Sequence, residues 1–197
     1  ILEKFLLPLF SYIIHQNIFF KYIYVKIHNM VKNVYIHIPF CKSKCKYCSF
    51  ISYVDLSTKS AYLEALRHEI KYYYKGEELE TLYFGGGTPS LLSCEEFSSL
   101  IDCFNVTKST EITAELNPDT VNQKYLEDLY KTGINRISMG CQTFDDKVLK
   151  LIGRRHNSSQ VKLAVKSAQN AGFDNINLDF IYGLPTQSTK DFEQDLL

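Results

Sequence analysis

Tryptophan is missing from this chain of 197 residues, methionine occurs only twice, and neither sign of charge is in excess, with 22 basic and 22 acidic residues. That balance leaves no electrostatic footprint for nucleic acid, so no nucleic-acid partner is expected. An uninterrupted apolar run is missing too: the stretch 6–25 is broken by His15, Gln16, Asn17 and Lys21, whereas a spanning helix needs about 20 predominantly apolar residues. No small-residue cleavage site follows it, which argues against a secretory leader. No second Cys/His pair stands at zinc-finger spacing, so a closed structural zinc site is not indicated. A disulfide framework is also excluded, because Cys41, Cys45 and Cys48 are crowded together while Cys94, Cys103 and Cys141 are scattered. The cysteine pattern points to a reducing cytoplasm. Fourteen tyrosines and thirteen phenylalanines beside the missing tryptophan suggest an AT-rich coding sequence.

The chain opens on Ile1, and Met30 stands just before the first convincing strand. Met30 is therefore expected to be the native start, with residues 1–29 an extension irrelevant to the fold and 30–197 the domain. Within it, short apolar or β-branched runs alternate with stretches of helical period. Strands are predicted at 34–38, 81–84, 111–116, 136–139 and 175–181. Leu63, Leu66, Ile70 and Tyr73 form one helical stripe. Ser93 with Glu96 and Thr120 with Gln123 have capping-box spacing, Gly172 reads as the C-cap of a helix over 161–171, and a last helix starts near Ser188. Cys94 and Cys103 are expected on one helix.

Strict β-α alternation predicts a parallel sheet with right-handed crossovers. Uncommon residues follow or end successive strands: the cysteine loop, Gly85–Gly87, Glu115 with Asn117, Gln142 and Asp179. They converge only if the sheet curls, so the fold class expected is a partial (β/α) TIM-type barrel, truncated after about five βα units. Such a segment alone is expected to leave a sheet edge exposed and to be insoluble or molten.

The richest chemistry lies in Cys41, Cys45 and Cys48, spaced C-x3-C-x2-C. A 4Fe-4S cubane normally takes one thiolate per iron, so three thiolates leave one iron open to a substrate or cofactor. Lys42, Lys44 and Lys46 lie among them, and a solvated loop and a surface for an anionic substrate or redox partner both remain open. Cys94, Cys103 and Cys141 are expected to be ordinary buried or half-buried thiols, with Cys141 the one adjoining the site. The run Gly85-Gly86-Gly87-Thr88-Pro89 lacks the Gly-Lys-Ser/Thr ending of a P-loop, and its glycines leave backbone groups open to close approach by a ligand. His37 is expected to be packed and hydrogen-bonded rather than a cluster ligand, and the role of His156 stays open.

Taken together, Tyr35-Ile-His-Ile-Pro-Phe-Cys, the cysteine spacing, Gly85-Gly-Gly-Thr-Pro, Glu111-Ile-Thr-Ala-Glu-Leu-Asn-Pro, Gly133-Ile-Asn-Arg-Ile-Ser-Met-Gly-Cys-Gln, Ile152-Gly-Arg-Arg-His and Asn177-Leu-Asp-Phe-Ile-Tyr-Gly-Leu-Pro resemble the radical S-adenosylmethionine (SAM) superfamily, in its HemN/HemW branch. The resemblance covers residues 33–197. It implies a 4Fe-4S cluster on Cys41, Cys45 and Cys48. SAM would chelate the open iron and be cleaved reductively to a 5′-deoxyadenosyl radical. It further implies that Gly86, Gly87 and Thr88 contact the methionine end, that Tyr35 and Tyr47 line the cluster and cofactor, and that Glu115, Gln142, Arg154 and Asp179 complete the polar contacts.

Members of the branch that decarboxylate coproporphyrinogen III carry a fourth cysteine two residues after the third, where this chain has Phe50. Resemblance therefore favours the haem-chaperone side of the branch, with haem or a porphyrinogen as the bound partner. It also implies an electron donor such as flavodoxin or ferredoxin and an acceptor haem protein. A genuine coproporphyrinogen oxidase and a related radical methyltransferase or haem-degrading enzyme are the alternatives. A non-catalytic iron–sulfur or zinc protein is disfavoured by the glycine run and Gln142.

Overall fold

The computed structural model describes residues 31–197, so the readings of residues 1–29 and of Met30 lie outside the described residues. Five strands, β1 (Asn33–Ile38), β2 (Thr81–Gly86), β3 (Glu111–Leu116), β4 (Arg136–Gln142) and β5 (Asn175–Phe180), form one sheet. They lie in chain order, and every neighbouring pair is parallel. A doubly wound sheet reverses its strand order at some point. Here the order never reverses, so right-handed crossovers carry every helix to the same side. This is a sector of a (β/α) barrel, as expected.

Register explains which face is which. One row across the sheet is Ile36, Phe84, Ala114, Ile137 and Ile176, and the adjacent row is Tyr35, Tyr83, Thr113, Arg136 and Asn175. Side chains alternate across a strand, so one face is apolar and the other carries hydroxyls, amides and charges. The apolar face packs against α1 (Lys59–Tyr73), α2 (Cys94–Ile101), α3 (Gln123–Lys131) and α5 (Ser158–Ala171). Leu63, Leu66, Ile70, Phe97, Leu100, Leu126, Leu129 and Ala168 join the strand residues in a single buried core. Truncating one of these leucines to alanine costs about 2–5 kcal/mol in a core of this kind. The opposite face does not have the bulky branched side chains that fill an ordinary barrel interior. It is built as a lining rather than as a core.

Two further helices, α4 (Asp146–Leu151) and α6 (Thr189–Leu196), flank the ends of β4 and β5. Val148, Leu149, Ile152 and Leu184 form their own buried cluster there. Among the described residues no helix is long and apolar enough to cross a membrane.

Local capping follows the expected chemistry with one exception. Ser93 accepts from the Glu96 amide and Glu96 reaches back, and Ser188 with Asp191 does the same. Gly172 closes α5 at φ +106°. Thr120, however, caps nothing: it ends a 3-10 turn over Pro118–Thr120 and donates to the Asn117 carbonyl at 2.7 Å, while Asn122 caps α3. Cys103 lies just beyond the end of α2 rather than on it. Strands β2 and β4 run two and three residues further than expected, to Gly86 and Gln142, where Gly85 and Gly86 pair with His37 and Ile38 and Gly140 and Gln142 with Asp179 and Phe180.

Candidate functional site

The candidate site residues collect at the C-terminal ends of the strands or on the lining face. The cysteine loop leaves β1 at Ile38 and is pinned by its backbone: Tyr53 donates to the Pro39 carbonyl at 2.8 Å, Cys41 to the Tyr53 carbonyl at 3.0 Å, and Lys46 to the Ile152 carbonyl at 2.9 Å. Cys48 donates to the Cys45 carbonyl at 3.2 Å, which closes the turn that carries two of the thiols. All three cysteines are free thiols. Beneath them runs Gly87, whose amide donates to the Ile38 carbonyl at 2.9 Å. A Cβ there would stand 2.7 Å from the Phe40 carbonyl oxygen and 3.0 Å from Cys41 Sγ, so only glycine lets the chain leaving β2 pass this close to the loop.

Glu115 occupies the lining face beside the glycine run. It accepts from Tyr83 Oη at 2.9 Å and from the Gly86 amide at 3.1 Å. Burial raises its pKa, the two hydrogen bonds oppose that, and the nearby Asp179 carboxylate adds to it. A carboxylate held in this condition is set to gain from a cationic neighbour. Gly86, at φ +116°, lies against the imidazole of His37. Tyr35 stacks on Tyr83 with ring centroids 5.8 Å apart, and burial, then Glu115, pushes its phenol up to about 12. His37 is engaged with Tyr35 Oη at 3.3 Å and the Ile51 carbonyl at 3.0 Å, the packed and hydrogen-bonded state expected of it.

Arg154 reaches the cysteine loop from the far side. Its Nη2 donates to the Gly140 carbonyl at 2.7 Å and to Asn117 Oδ1 at 2.8 Å, and its Nη1 approaches Cys45 Sγ at 3.7 Å. Its Nε is buried and has no hydrogen-bond partner. His156 resolves as a support for this guanidinium. A carbonyl can only accept, so His156 Nε2–H donates to the Cys141 carbonyl at 3.2 Å and the unprotonated Nδ1 faces Arg154 Nη2 at 3.3 Å. Burial first, and the Arg154 charge second, hold its pKa down to about 4.

Gln142 sits where the β4–β5 register shifts, at φ +72°, and is buried. A non-glycine residue in that region costs about 1–3 kcal/mol and marks positions where the chain is held for function. Asp179, on β5, accepts from Ser138 Oγ at 3.0 Å and from Asn177 Nδ2 at 2.7 Å, all on the lining face. Tyr47 is 39% exposed; burial raises its phenol to about 12 while Arg154 acts in the opposite sense.

Cys141 is the ordinary buried thiol expected, its Sγ 3.6 Å from the Thr143 carbonyl, and burial pushes it up to about 12. Only its carbonyl serves the site. Of the three lysines, Lys42 is engaged by Asp119, through the carbonyl at 3.3 Å and the carboxylate at 3.8 Å, and Lys44 donates to the Phe50 carbonyl at 3.3 Å. Arg155 pairs with the same Asp119 at 3.2 Å and is the more exposed arginine. Asn117 stands at its strand end as expected, but it also bridges Thr88 and Arg154, a role that no sequence signal assigns to it. Its Asn-Pro signature is that of any strand-ending turn.

Among the described residues, no three His, Cys, Asp or Glu side chains are gathered for a single metal ion. A cubane binds each thiolate to a different iron, so its ligands stand farther apart than the donors of one ion. A three-thiol loop with two side-chain donors aimed at sulfur, a glycine floor and an orphaned Arg154 N–H therefore fits a cluster with one open corner.

The model of the Radical SAM superfamily matches residues 35–197. The heme chaperone HemW of Bacillus subtilis (strain 168) is 39% identical over 175 residues, covering 84% of this chain and 46% of that protein. HemW of Escherichia coli (strain K12) is 38% identical over 173 residues, covering 83% and 46%. The solved structure of coproporphyrinogen III oxidase (HemN) from Escherichia coli superposes with a TM-score of 0.76 at 33% identity, covering 84% of this chain and 40% of that one. The chain thus spans about half the length of the curated relatives it matches.

Proposed function

The chain belongs to the radical SAM superfamily, and on that footing we propose that it is the cluster- and cofactor-binding part of a haem chaperone of the HemW kind. The observation that carries this reading is the fixed three-thiol loop over Gly87, on a chain more than a third identical to two heme chaperones. Cys41, Cys45 and Cys48 hold the 4Fe-4S cluster. Gly86, Gly87 and Thr88 receive the methionine end of SAM along the edge of β2. Glu115 accepts the ammonium, Arg154 takes the carboxylate through Nη1, and Gln142 and Asp179 serve the ribose side. Tyr35 and Tyr47 wall the site against water. When bound, the cluster supplies one electron to the sulfonium; the protein's part is to fix the cofactor against it.

Haem, the acceptor haem protein and an electron donor such as flavodoxin or ferredoxin are part of the same proposal, as are a cytoplasmic location and a domain running over 30–197. A second reading, oxygen-independent coproporphyrinogen III oxidase, is favoured by the superposition on HemN. Phe50 argues against it: the ring is 63% exposed at the position where the oxidase side of the branch is expected to carry a cysteine. An apolar ring cannot replace a thiol.

Two assays on the anaerobically reconstituted full-length protein separate the readings. Tight haem binding without turnover of coproporphyrinogen III is expected. Conversion of coproporphyrinogen III to protoporphyrinogen IX would overturn the chaperone assignment.

A further inference from the structure

Asn117 stands between the two halves of the cysteine loop. Its Nδ2 donates to Thr88 Oγ1 at 3.1 Å, and Thr88 Oγ1, 3% exposed, donates in turn to Cys41 Sγ at 3.5 Å. Its Oδ1 accepts from Arg154 Nη2 at 2.8 Å, and Arg154 Nη1 faces Cys45 Sγ at 3.7 Å. One carboxamide therefore links the donors of two thiols. Its backbone is gripped as firmly, since the amide donates to Ser90 Oγ at 3.1 Å and the carbonyl accepts from Thr120 Oγ1 at 2.7 Å. Ser90 and Thr120 contact each other through their hydroxyls, which closes that ring.

Direction matters in this frame. Arginine has only donors, so the Arg154 side requires an acceptor. Thr88 has a single proton; while that proton is on Cys41 Sγ, the hydroxyl oxygen must accept, so the Thr88 side requires a donor. Asparagine supplies both, on two separate atoms of one short side chain. We infer that Asn117 is a positioning residue that aims the Thr88 hydroxyl at Cys41 and so tunes the cluster. The inference rests on the assignment of a cluster to Cys41, Cys45 and Cys48. Hydrogen bonds to the sulfurs help set the potential of such clusters, because a donor stabilises the more negative, reduced form.

The discriminating variant is Asn117→Asp. It keeps the acceptor for Arg154 but removes the donor, and the carboxylate draws the Thr88 proton away from sulfur. Full-length wild type, Asn117→Asp, Thr88→Val and the double variant are loaded anaerobically. Iron and sulfide are counted, and the reduction potential is read from the electron paramagnetic resonance signal during a reductive titration. Iron content equal to wild type is expected in all four. A shift to more negative potential is expected in each single variant, with wild-type behaviour restored in Thr88→Ser. The charge that Asn117→Asp adds must be separated from its effect through Thr88, and the double variant does so. The Asn117→Asp shift should shrink when valine already occupies position 88. An equal shift in both backgrounds, or no shift in either, overturns the inference. Should Asn117→Asp load no cluster, the uncharged Asn117→Ser takes its place in the same cycle. If that variant also loads none while Thr88→Val loads fully, the inference again fails, since a residue acting through the Thr88 hydroxyl can cost no more than removing it. A wild type that loads no cluster at all refutes the site assignment instead.

Discussion

The buried imidazole of His156 gives a pH dependence that can be worked out in advance. Its ring is 4% exposed, donates from Nε2 to the Cys141 carbonyl and turns its unprotonated Nδ1 to the Arg154 guanidinium at 3.3 Å. Protonating Nδ1 would set a second positive charge against the guanidinium, so the pKa falls from an ordinary 6.5 to about 4. Burial is the largest cause and Arg154 the next, with the Asp119 and Asp146 carboxylates pulling weakly the other way. A base depressed in the native state is neutral there while the unfolded chain takes up a proton. Stability is therefore complete above the unfolded pKa, is lost as pH falls from 6.5 towards 4, and is flat below that. Integrating between about pH 7.5 and pH 5 gives a loss of about 2 kcal/mol from this one group. His156→Gln keeps one donor and one acceptor and has no proton to gain. Urea unfolding of the full-length wild type and variant at the two pH values isolates the imidazole, because every other titrating group is shared. Wild type should lose about 2 kcal/mol more than the variant across the interval, roughly 1 M in midpoint. Identical pH dependence in the two proteins would refute the reasoning.

Gly87→Ala would set a methyl 2.7 Å from the Phe40 carbonyl oxygen and 3.0 Å from that of Ile38, both backbone atoms that cannot swing aside. A loss of about 1–3 kcal/mol is expected, with less iron per chain after reconstitution; an unchanged unfolding midpoint and full iron would contradict it. Cys41→Ala should abolish the cluster absorption outright, and retention of the full wild-type iron content would remove this cysteine from the ligand set. Glu115→Gln offers one acceptor where Tyr83 and the Gly86 amide need two, and it removes a negative charge. SAM binding, followed by calorimetry on the loaded protein, should weaken at least about tenfold; wild-type affinity would take Glu115 out of the cofactor contacts.

How much of this is legible without coordinates depends on how local each signal is. The capping box at Ser93, the helix start at Ser188 and the αL closure at Gly172 are read from four or five consecutive residues and stand as expected, whereas Thr120 has the same capping-box spacing and yields the cap to Asn122. The cysteine loop is equally local. Glu115 and Gly86 are 29 residues apart, yet strand order alone makes them neighbours, because β2 and β3 are adjacent and parallel. Cys141 is the buried thiol expected of it, and it adjoins the site through its carbonyl, which His156 meets. Asn117 and His156 are harder for a physical reason. Each acts by joining groups that come from different loops, 29 and 37 residues away for Asn117, and neither motif nor period encodes such a meeting. What they share is a demand for both a donor and an acceptor on one small side chain. Asn117 answers it with an amide and His156 with one tautomer of a neutral ring, so each position discriminates against isosteres that differ only in where their protons sit. That is why the informative substitutions here, Asn117→Asp and His156→Gln, change protons and charge while leaving size almost untouched.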